Sequence, residues 1–412
     1  MIKNFFPNKI ALITLISACF IVFATMGLRQ TFGLFSNDFE VDCGISTTEF
    51  GLAIAIHAII WGIFTPIAGR FAGKHGGNII TIFALILYGI GIFLLGNNFN
   101  TGAWFQINLG LLVGLGLAGA AGPIIASQVT KHFPNENRTK AAGLVTACGG
   151  LGMFVFPITS KFLMLETSWQ NTFITFSIFL LLMCIPAYLM KVPQSMKAPQ
   201  NENLNDTKKS NDNVMPILKE SFAHNGFRLL ILGFFVCGFQ ITLVATHVPK
   251  YVQDRGLEDW AGFAILSLIG LFNIFGTLLM GYLGDKYSKK ILLSGLYFLR
   301  AVSMLVFILL PASNITAIAF GISFGVLWLA TVPATNGIVA QIFGTKNLTM
   351  LFGIVFLSHQ IGSFLGAYLG GLSYDVFGSF DYAWYLAIVL SIVATLLHLP
   401  IDEKPIRREA TI

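Results

Sequence analysis

Long apolar runs separated by short polar segments make up most of this 412-residue chain. A membrane-spanning α-helix needs about 20 mostly apolar residues, and twelve runs reach that length. The runs lie at residues 9–36, 47–72, 78–96, 102–130, 139–161, 169–191, 226–252, 259–284, 290–310, 314–342, 347–374 and 380–400. The first run is too long for a signal peptide and no A-x-A cleavage site closes it, so we expect it to remain as helix 1. The pattern predicts an all-α polytopic membrane protein with twelve transmembrane helices.

One polar segment divides these runs into two sets of six. Residues 193–213 are rich in Asn and Lys and almost lack large apolar side chains, a composition typical of a flexible linker. We therefore predict an N-terminal six-helix bundle at residues 1–192, a cytoplasmic linker at 193–225 and a C-terminal six-helix bundle at 226–412.

Composition and charge placement support a membrane protein. Hydrophobic residues make up 55% of the chain and charged residues 11%, which is too little charge to cover a soluble protein of this length. If both termini are cytoplasmic, 20 of the 25 Lys and Arg residues fall on the cytoplasmic side, three, including Lys250, fall outside, and Arg29 and Arg300 lie within spans. This asymmetry follows the positive-inside rule, so the net charge of +6 indicates topology and not a nucleic-acid partner. We expect a monomeric, multi-pass protein in the lipid bilayer of the cell inner membrane.

No cofactor is expected. The five cysteines form no CxxC pair and indicate neither a disulfide framework nor a zinc site. The sequence contains no P-loop, metal-ligand cluster or nucleophile–base pair, so it predicts neither an enzyme nor ATP coupling.

The two halves of the chain repeat one another. The loop GRFAGKHGGN begins at Gly69, and the related loop GYLGDKYSKK begins 212 residues later at Gly281. Other paired positions are 210 residues apart: Pro123 with Pro333, Gly143 with Gly353, and Gly152 with Gly362. A near-constant offset across several helices predicts a duplicated six-helix unit, with parallel repeats about an axis along the membrane normal.

Twelve helices, this duplication and the loop after helix 8 resemble the major facilitator superfamily of secondary transporters. The resemblance implies two pseudo-symmetric six-helix bundles. It also implies that the second loop is a conformational latch, in which the aspartate caps a neighbouring helix end and pairs with basic groups. The matching latch residues are Gly281, Asp285, Lys286, Lys289 and Lys290. The first loop lacks the aspartate, which Gly73 replaces. The alternative for the second loop is ordinary positive-inside charge.

Within that superfamily, segments such as GLRQTFGLF and GLFNIFGTLLMGYLGDKYSKK resemble the bacterial branch related to monocarboxylate transporters. Animal members of that group carry an Asp and an Arg one turn apart in helix 8. The matching positions here are Asn273 and Thr277, so the resemblance does not extend to a shared proton–substrate mechanism.

Charges inside the predicted spans favour an anionic substrate. All 19 Asp and Glu residues lie in loops, at helix ends or in tails, whereas Arg29, Arg300, His57 and His359 lie deep in spans. Helix 1 lines the central cavity in the family that the chain resembles, so we expect Arg29 to hold a carboxylate through two parallel hydrogen bonds. The alternative is a structural arginine bonded to carbonyls of helix 5 or helix 11. Arg300 lies in a helix that is peripheral in the family, which favours snorkelling or bonds to backbone carbonyls.

Seven further residues complete the candidate substrate site, and each could instead serve packing. His57 and Trp61 lie on one face of helix 2, and His359 and Gln360 are adjacent on helix 11. The candidates are His57, Trp61, Gln240, Asn273, Trp328, His359 and Gln360.

The resulting hypothesis is a secondary active transporter for a small, monocarboxylate-like organic anion. It would work by alternating access, and a symporter would use protons as the coupling ion. The alternative is a multidrug or metabolite efflux antiporter of the same superfamily. The absence of deep carboxylates from the sequence argues against a cationic drug as substrate.

Overall fold

The computed structural model describes residues 6–97, 102–190, 214–344 and 347–406. In these ranges twelve helices are long and apolar enough to cross a membrane, which confirms the sequence prediction. They are α1 (Lys9–Cys43), α2 (Thr47–His75), α3 (Gly77–Gly96), α4 (Ala103–Thr130), α5 (Glu136–Glu166), α6 (Trp169–Leu189), α7 (Asn225–Asp254), α8 (Trp260–Lys286), α9 (Lys289–Leu309), α10 (Asn314–Phe343), α11 (Leu348–Phe377) and α12 (Asp381–His398).

The helices alternate in direction, so the bundle has two ends. One end holds the start of α1, the end of α12 and the loops after α2, α4, α8 and α10, and we call it the basic end. We call the other end the opposite end. Of the predicted linker, residues 193–213 lie outside the described residues. The rest of the predicted linker contains a helix, Val214–Ala223, which leads into α7 at Asn225.

Matching glycine contacts relate the two halves. In the first half, α1 packs against α5 so closely that a Cβ at Gly152 would collide with the carbonyl of Phe23. In the second half, α7 packs against α11, and a Cβ at Gly362 would collide with the carbonyl of Phe235. Glycine allows this approach because it presents no side chain to the partner backbone. The duplicated positions thus make the same helix–helix contact in each half.

Two spans are interrupted at corresponding places. The helix in α4 breaks at Ala121, whose backbone is extended, and α10 is broken between Leu327 and Thr331. A broken helix exposes backbone groups that need partners within a membrane. Beside the α4 break, the hydroxyl of Thr25 donates to the carbonyl of Ala120 (3.4 Å).

The break in α10 has stronger partners. The Arg300 guanidinium donates to the carbonyl of Leu327 from Nε (3.1 Å) and Nη2 (2.8 Å), and Nη2 also donates to the carbonyl of Trp328. On the other side of the break, the amide nitrogen of Leu329 donates to Oδ1 of Asn273 (3.0 Å). Side chains of α9 and α8 therefore hold the interruption in a defined shape.

The two halves are packed together at the opposite end. There, a Cβ at Gly33 would collide with the carbonyl of Ala245, and a Cβ at Gly371 would collide with the carbonyl of Thr47. Toward the basic end, the glycines of α2, α5, α8 and α11 make no such close contact. A Cβ at Gly69, Gly73, Gly143, Gly281 or Gly353 would meet no atom within 4 Å among the described residues. The bundle is closed at the opposite end and parted at the basic end.

Candidate functional site

A small cavity lies between the halves, where α1, α2 and α7 meet. It is lined by Arg29, Phe32, Gly33, Ile54, His57, Thr242, Ala245 and Thr246. Its volume is about 10 Å³, close to the least that can hold one water molecule. In this conformation the halves are therefore too close at the cavity to admit an organic molecule.

Arg29 reaches this cavity without a fixed partner. Its Nε is buried and has no hydrogen-bond partner among the residues that the structure describes. The guanidinium carbon lies 5.2 Å from the centre of the Trp61 ring, a cation–π distance that stabilises the charge but satisfies no N–H group. The backbone carbonyls that a structural arginine would need are not bonded to it in the described part of the chain. A ligand could supply the missing acceptors.

Several other polar groups near Arg29 also lack hydrogen-bond partners among the described residues. Both ring nitrogens of His57, the indole nitrogen of Trp61 and the hydroxyl of Thr242 are buried and lack hydrogen-bond partners within the described ranges. The His57 ring is held by aromatic contacts, with ring centroids 6.1 Å from Phe32 and 6.4 Å from Trp61. Leaving a buried polar group unpaired costs about 1–3 kcal/mol. Several such groups around one cavity are typical of a site that a ligand or water completes.

Of the predicted candidates, the structure brings Arg29, His57 and Trp61 together. Sequence reasoning missed Thr242 and Thr246, which line the same cavity from α7. Their spacing of four residues places them on one helical face, and this could have indicated them. It could not have shown that the face meets Arg29.

Three other candidates lie elsewhere in this conformation. The amide of Gln240 is used at both ends, since Nε2 donates to the carbonyl of Ala387 (2.9 Å) and Oε1 accepts from Arg300 (3.3 Å). Asn273 holds the α10 break, and Trp328 is 1% exposed within that break. These side chains stabilise the second half and do not line the cavity with Arg29.

Gln360, which is adjacent to His359 on α11, connects the two halves. Nδ1 of His359 lies 3.0 Å from Oε1 of Gln360, and Nε2 of Gln360 donates to the carbonyl of Ala58 in α2 (2.9 Å). The His359 ring also stacks on Phe356 with centroids 5.9 Å apart. Gln360 therefore takes part in the contact between α2 and α11, whereas the His359 ring packs against Phe234 of α7 with centroids 5.0 Å apart. Both residues lie outside the lining of the Arg29 cavity.

Arg300 is fully buried and bonded only to neutral acceptors in the described residues. Its bonds to Leu327, Trp328 and Gln240 use the whole guanidinium fork. This is the carbonyl-bonded arrangement that the sequence favoured over a substrate role.

The predicted latch is disengaged at the parted basic end. Asp285 is exposed and makes no hydrogen bond or ion pair with any described residue, contrary to the expectation that it caps a helix. Glu403 does so instead: its Oε1 accepts from the amide of Lys290 (2.6 Å) and its Oε2 from the hydroxyl of Ser288 (3.1 Å). The segment after α12 brings Glu403 to the start of α9, and Asp285 is left exposed.

The basic latch residues bond within the second half. Nζ of Lys289 donates to Gln341 (3.1 Å), Nζ of Lys290 donates to the carbonyl of Ile401 (2.8 Å), and Lys286 contacts the hydroxyl of Tyr282. Gly281 is open to its surroundings, as noted above. The loop residues therefore connect the start of α9 to α10 and to the segment after α12 in this conformation.

The charge count placed Lys250 outside the membrane, but in the structure it does not lie in a loop. It is inside α7 and 7% exposed, and its Nζ donates to Oε2 of Glu40 (2.8 Å) and to Oδ1 of Asn37 (2.9 Å) in α1. Sequence reasoning missed this pair because the α1 residues lie more than 200 positions away in the chain.

The chain is similar to known transporters over most of its length. It is 24% identical over 362 residues to "Uncharacterized MFS-type transporter YcxA" of Bacillus subtilis (strain 168), which covers 86% of this chain and 85% of that protein. It is 23% identical over 415 residues to Monocarboxylate transporter 12 of Homo sapiens, covering 93% of this chain and 79% of that protein.

Solved transporter structures share the fold. The D-xylose-proton symporter superposes with a TM-score of 0.74 at 16% identity, over 96% of this chain and 99% of its own. A bacterial homolog of the human lysosomal transporter Spinster, inward-facing and unoccupied, superposes with a TM-score of 0.75 at 15% identity, over 95% and 96% of the two chains. The profile of the Major Facilitator Superfamily matches residues 11–331 and 264–411. With its twelve spans and two packed halves, the chain belongs to the Major Facilitator Superfamily and is a secondary transporter, not an enzyme.

Proposed function

We propose that this transporter carries a small organic anion of the monocarboxylate type and that Arg29 holds its carboxylate. The observation that carries the proposal is the guanidinium in the cavity between the halves, with its buried Nε unpaired among the described residues. Arginine stays protonated in proteins, and a buried charge without a partner is costly. A carboxylate would neutralise the guanidinium and accept two parallel hydrogen bonds from it.

The surroundings of Arg29 support an anion over a cation. Among the described residues, no Asp or Glu side chain lines the cavity, so a cationic drug would find no counter-ion there. His57, Trp61 and Thr242 add unsatisfied hydrogen-bonding groups close to the guanidinium. These features favour the anion carrier over the efflux alternative. The distant likeness to Monocarboxylate transporter 12 agrees with this substrate class.

The distribution of Lys and Arg supports a cytoplasmic basic end, with both termini inside the inner membrane. On that orientation the structure is an inward-facing state, because its halves are parted at the basic end. Protons could serve as the coupling ion through His57, whose ring nitrogens are free, or through the carboxyl group of the substrate.

Arg29→Lys tests the proposal on purified protein. We expect a panel of short monocarboxylates, including lactate and pyruvate, to raise the melting temperature of the wild type, and the matching neutral amides to have no effect. Arg29→Lys should fold but lose most of this stabilisation, because lysine cannot offer the planar fork. The same panel would be assayed as labelled uptake into proteoliposomes.

Arg228→Lys is the matched control. Arg228 lies at the basic end of α7 and bonds to Asn225, far from the cavity, so this variant should behave as the wild type. Undiminished carboxylate stabilisation and uptake in Arg29→Lys would contradict the proposal. Equal stabilisation by the acids and their amides would show that the site does not recognise the negative charge.

A further inference from the structure

The opposite end of the molecule contains a second polar cluster, well separated from the cavity at Arg29. After Thr31 the α-helix in α1 tightens into one 3-10 turn, Phe32–Phe35, and then continues as Ser36–Cys43. Gly33 lies in that turn and fits directly against the carbonyls of Ala245 and Thr246 in α7. This close approach lays the end of α1 along the end of α7.

The end of α1 belongs to the first half and the end of α7 to the second. Lys250 joins them through its bonds to Glu40 (2.8 Å) and Asn37 (2.9 Å), and Asn37 also donates to the side chain of Gln253. The ammonium lies 4.7 Å from the ring centre of Tyr374 in α11. Lys250 is thus buried between three helices with its charge neutralised by the other half.

A second tie lies beside this pair. The amide nitrogen of Thr48, in the first turn of α2, donates to Oδ2 of Asp375 in α11 (2.8 Å). Here, too, one partner comes from each half. Both ties hold only while the halves are closed at the opposite end, so both must break whenever that end opens.

We propose that the Glu40–Lys250 ion pair is the lock that holds the opposite end closed. The two partners differ in exposure, with 8% of the Lys250 side chain accessible and 45% of the Glu40 side chain. Removing Glu40 leaves a buried ammonium without its counter-charge, which is more costly than losing an exposed pair. Only the closed conformation makes the ion pair, so removing either partner favours opening, and Glu40→Gln in addition leaves the ammonium without its counter-charge in the closed state. The lock needs no particular substrate and is independent of the anion at Arg29.

The rate at which a cysteine buried at the closed end is alkylated measures the equilibrium between the closed and open forms of that end. Thr47 is 4% exposed and is covered by Gly371 of α11. Thr47→Cys, in a background where Cys43 is replaced by serine, would be alkylated with a bulky water-soluble maleimide in detergent. The same background without Thr47→Cys gives the baseline. We expect slow labelling with the lock intact and about tenfold faster labelling in Glu40→Gln and in Lys250→Gln, the ratio that a shift of about 1.4 kcal/mol produces.

Two further variants make the result specific. Glu49→Gln is the matched control, because Glu49 is a carboxylate at the same end that bonds within its own half, to the amide of Ser46 (2.9 Å), and it should label as slowly as the parent. The exchange Glu40→Lys with Lys250→Glu should restore slow labelling. Unchanged labelling in both neutral variants would overturn the lock. Equal acceleration in Glu49→Gln, or fast labelling in the exchanged pair, would also overturn it.

Discussion

Replacing Arg300 with lysine should destabilise the protein although the charge is kept. The guanidinium makes four hydrogen bonds from three nitrogens, two of them to the carbonyl of Leu327 and one each to Trp328 and Gln240. Lysine has a single nitrogen at the end of its chain and cannot reproduce a fork that bridges two carbonyls of a broken helix. The expected effect is a loosened break in α10.

The magnitude follows from the bonds that lysine would lose. A hydrogen bond to a charged group contributes about 1.5–3 kcal/mol to stability. If lysine keeps the contact with Leu327 and loses those with Trp328 and Gln240, the free energy of unfolding should fall by about 3 kcal/mol or more. For a domain of 150–250 residues, each 1 kcal/mol lowers the melting temperature by about 2–4 °C. Arg300→Lys should therefore melt at least about 6 °C below the wild type.

The assay is thermal unfolding of purified protein in detergent, followed by size-exclusion chromatography of the heated samples. Arg228→Lys is again the control, because its arginine is exposed and has one side-chain partner. A melting temperature for Arg300→Lys within about 2 °C of the control would refute the reasoning. It would mean that the α10 break holds its shape without the guanidinium.

Three other predictions follow from the same contacts. His57→Gln should weaken the pH dependence of uptake more than His359→Gln does, because the His57 nitrogens have no described partner at the cavity whereas His359 is bonded to Gln360. Equal pH profiles of the initial uptake rate for both variants and the wild type would contradict this. Glu403→Gln should lower the melting temperature, because the start of α9 loses the negative charge that accepts from the amide of Lys290, at a cost of about 1 kcal/mol, similar to the loss of an N-cap. Asp285→Asn should not lower it. The opposite order in thermal unfolding would show that Asp285 is the capping residue. Gly33→Ala should accelerate labelling of Thr47→Cys, because the added Cβ would collide with the carbonyl of Ala245 in the closed state. Labelling as slow as that of the parent would show that the closed end accommodates the methyl group.

The sequence predicted the elements and the repeat because both depend on local or regularly spaced features. Apolar length defines each span whatever the span packs against, and the paired glycines keep their offset because each half needs the same close helix contacts. The Arg29 group was also within reach of sequence reasoning. His57 and Trp61 share a helical face by their spacing of four, and family likeness places α1 beside the central cavity.

The candidates in the second half could not be separated by such reasoning. Pro333 marks an interruption in α10, but the sequence does not show which side chains satisfy the backbone groups that the interruption frees. Gln240 and Asn273 are polar residues in apolar helices, a pattern equally consistent with a ligand site and with bonds to backbone. The structure distinguishes the two because it shows Asn273 on the amide of Leu329 and Gln240 between Ala387 and Arg300.

Three of the cations within the spans, Arg300, Lys250 and Arg29, differ in what neutralises them. Arg300 is held by carbonyls of its own half, so its environment stays the same as the halves move. Lys250 is paired with a carboxylate of the other half, so its environment changes with the state of the opposite end. Arg29 has neither kind of partner among the described residues, although it lies where the halves meet. A cation that the protein leaves unpaired on the transport path is suited to an anion that the protein does not contain. In this transporter, therefore, the partner of each cation indicates its role more directly than its depth in the membrane does.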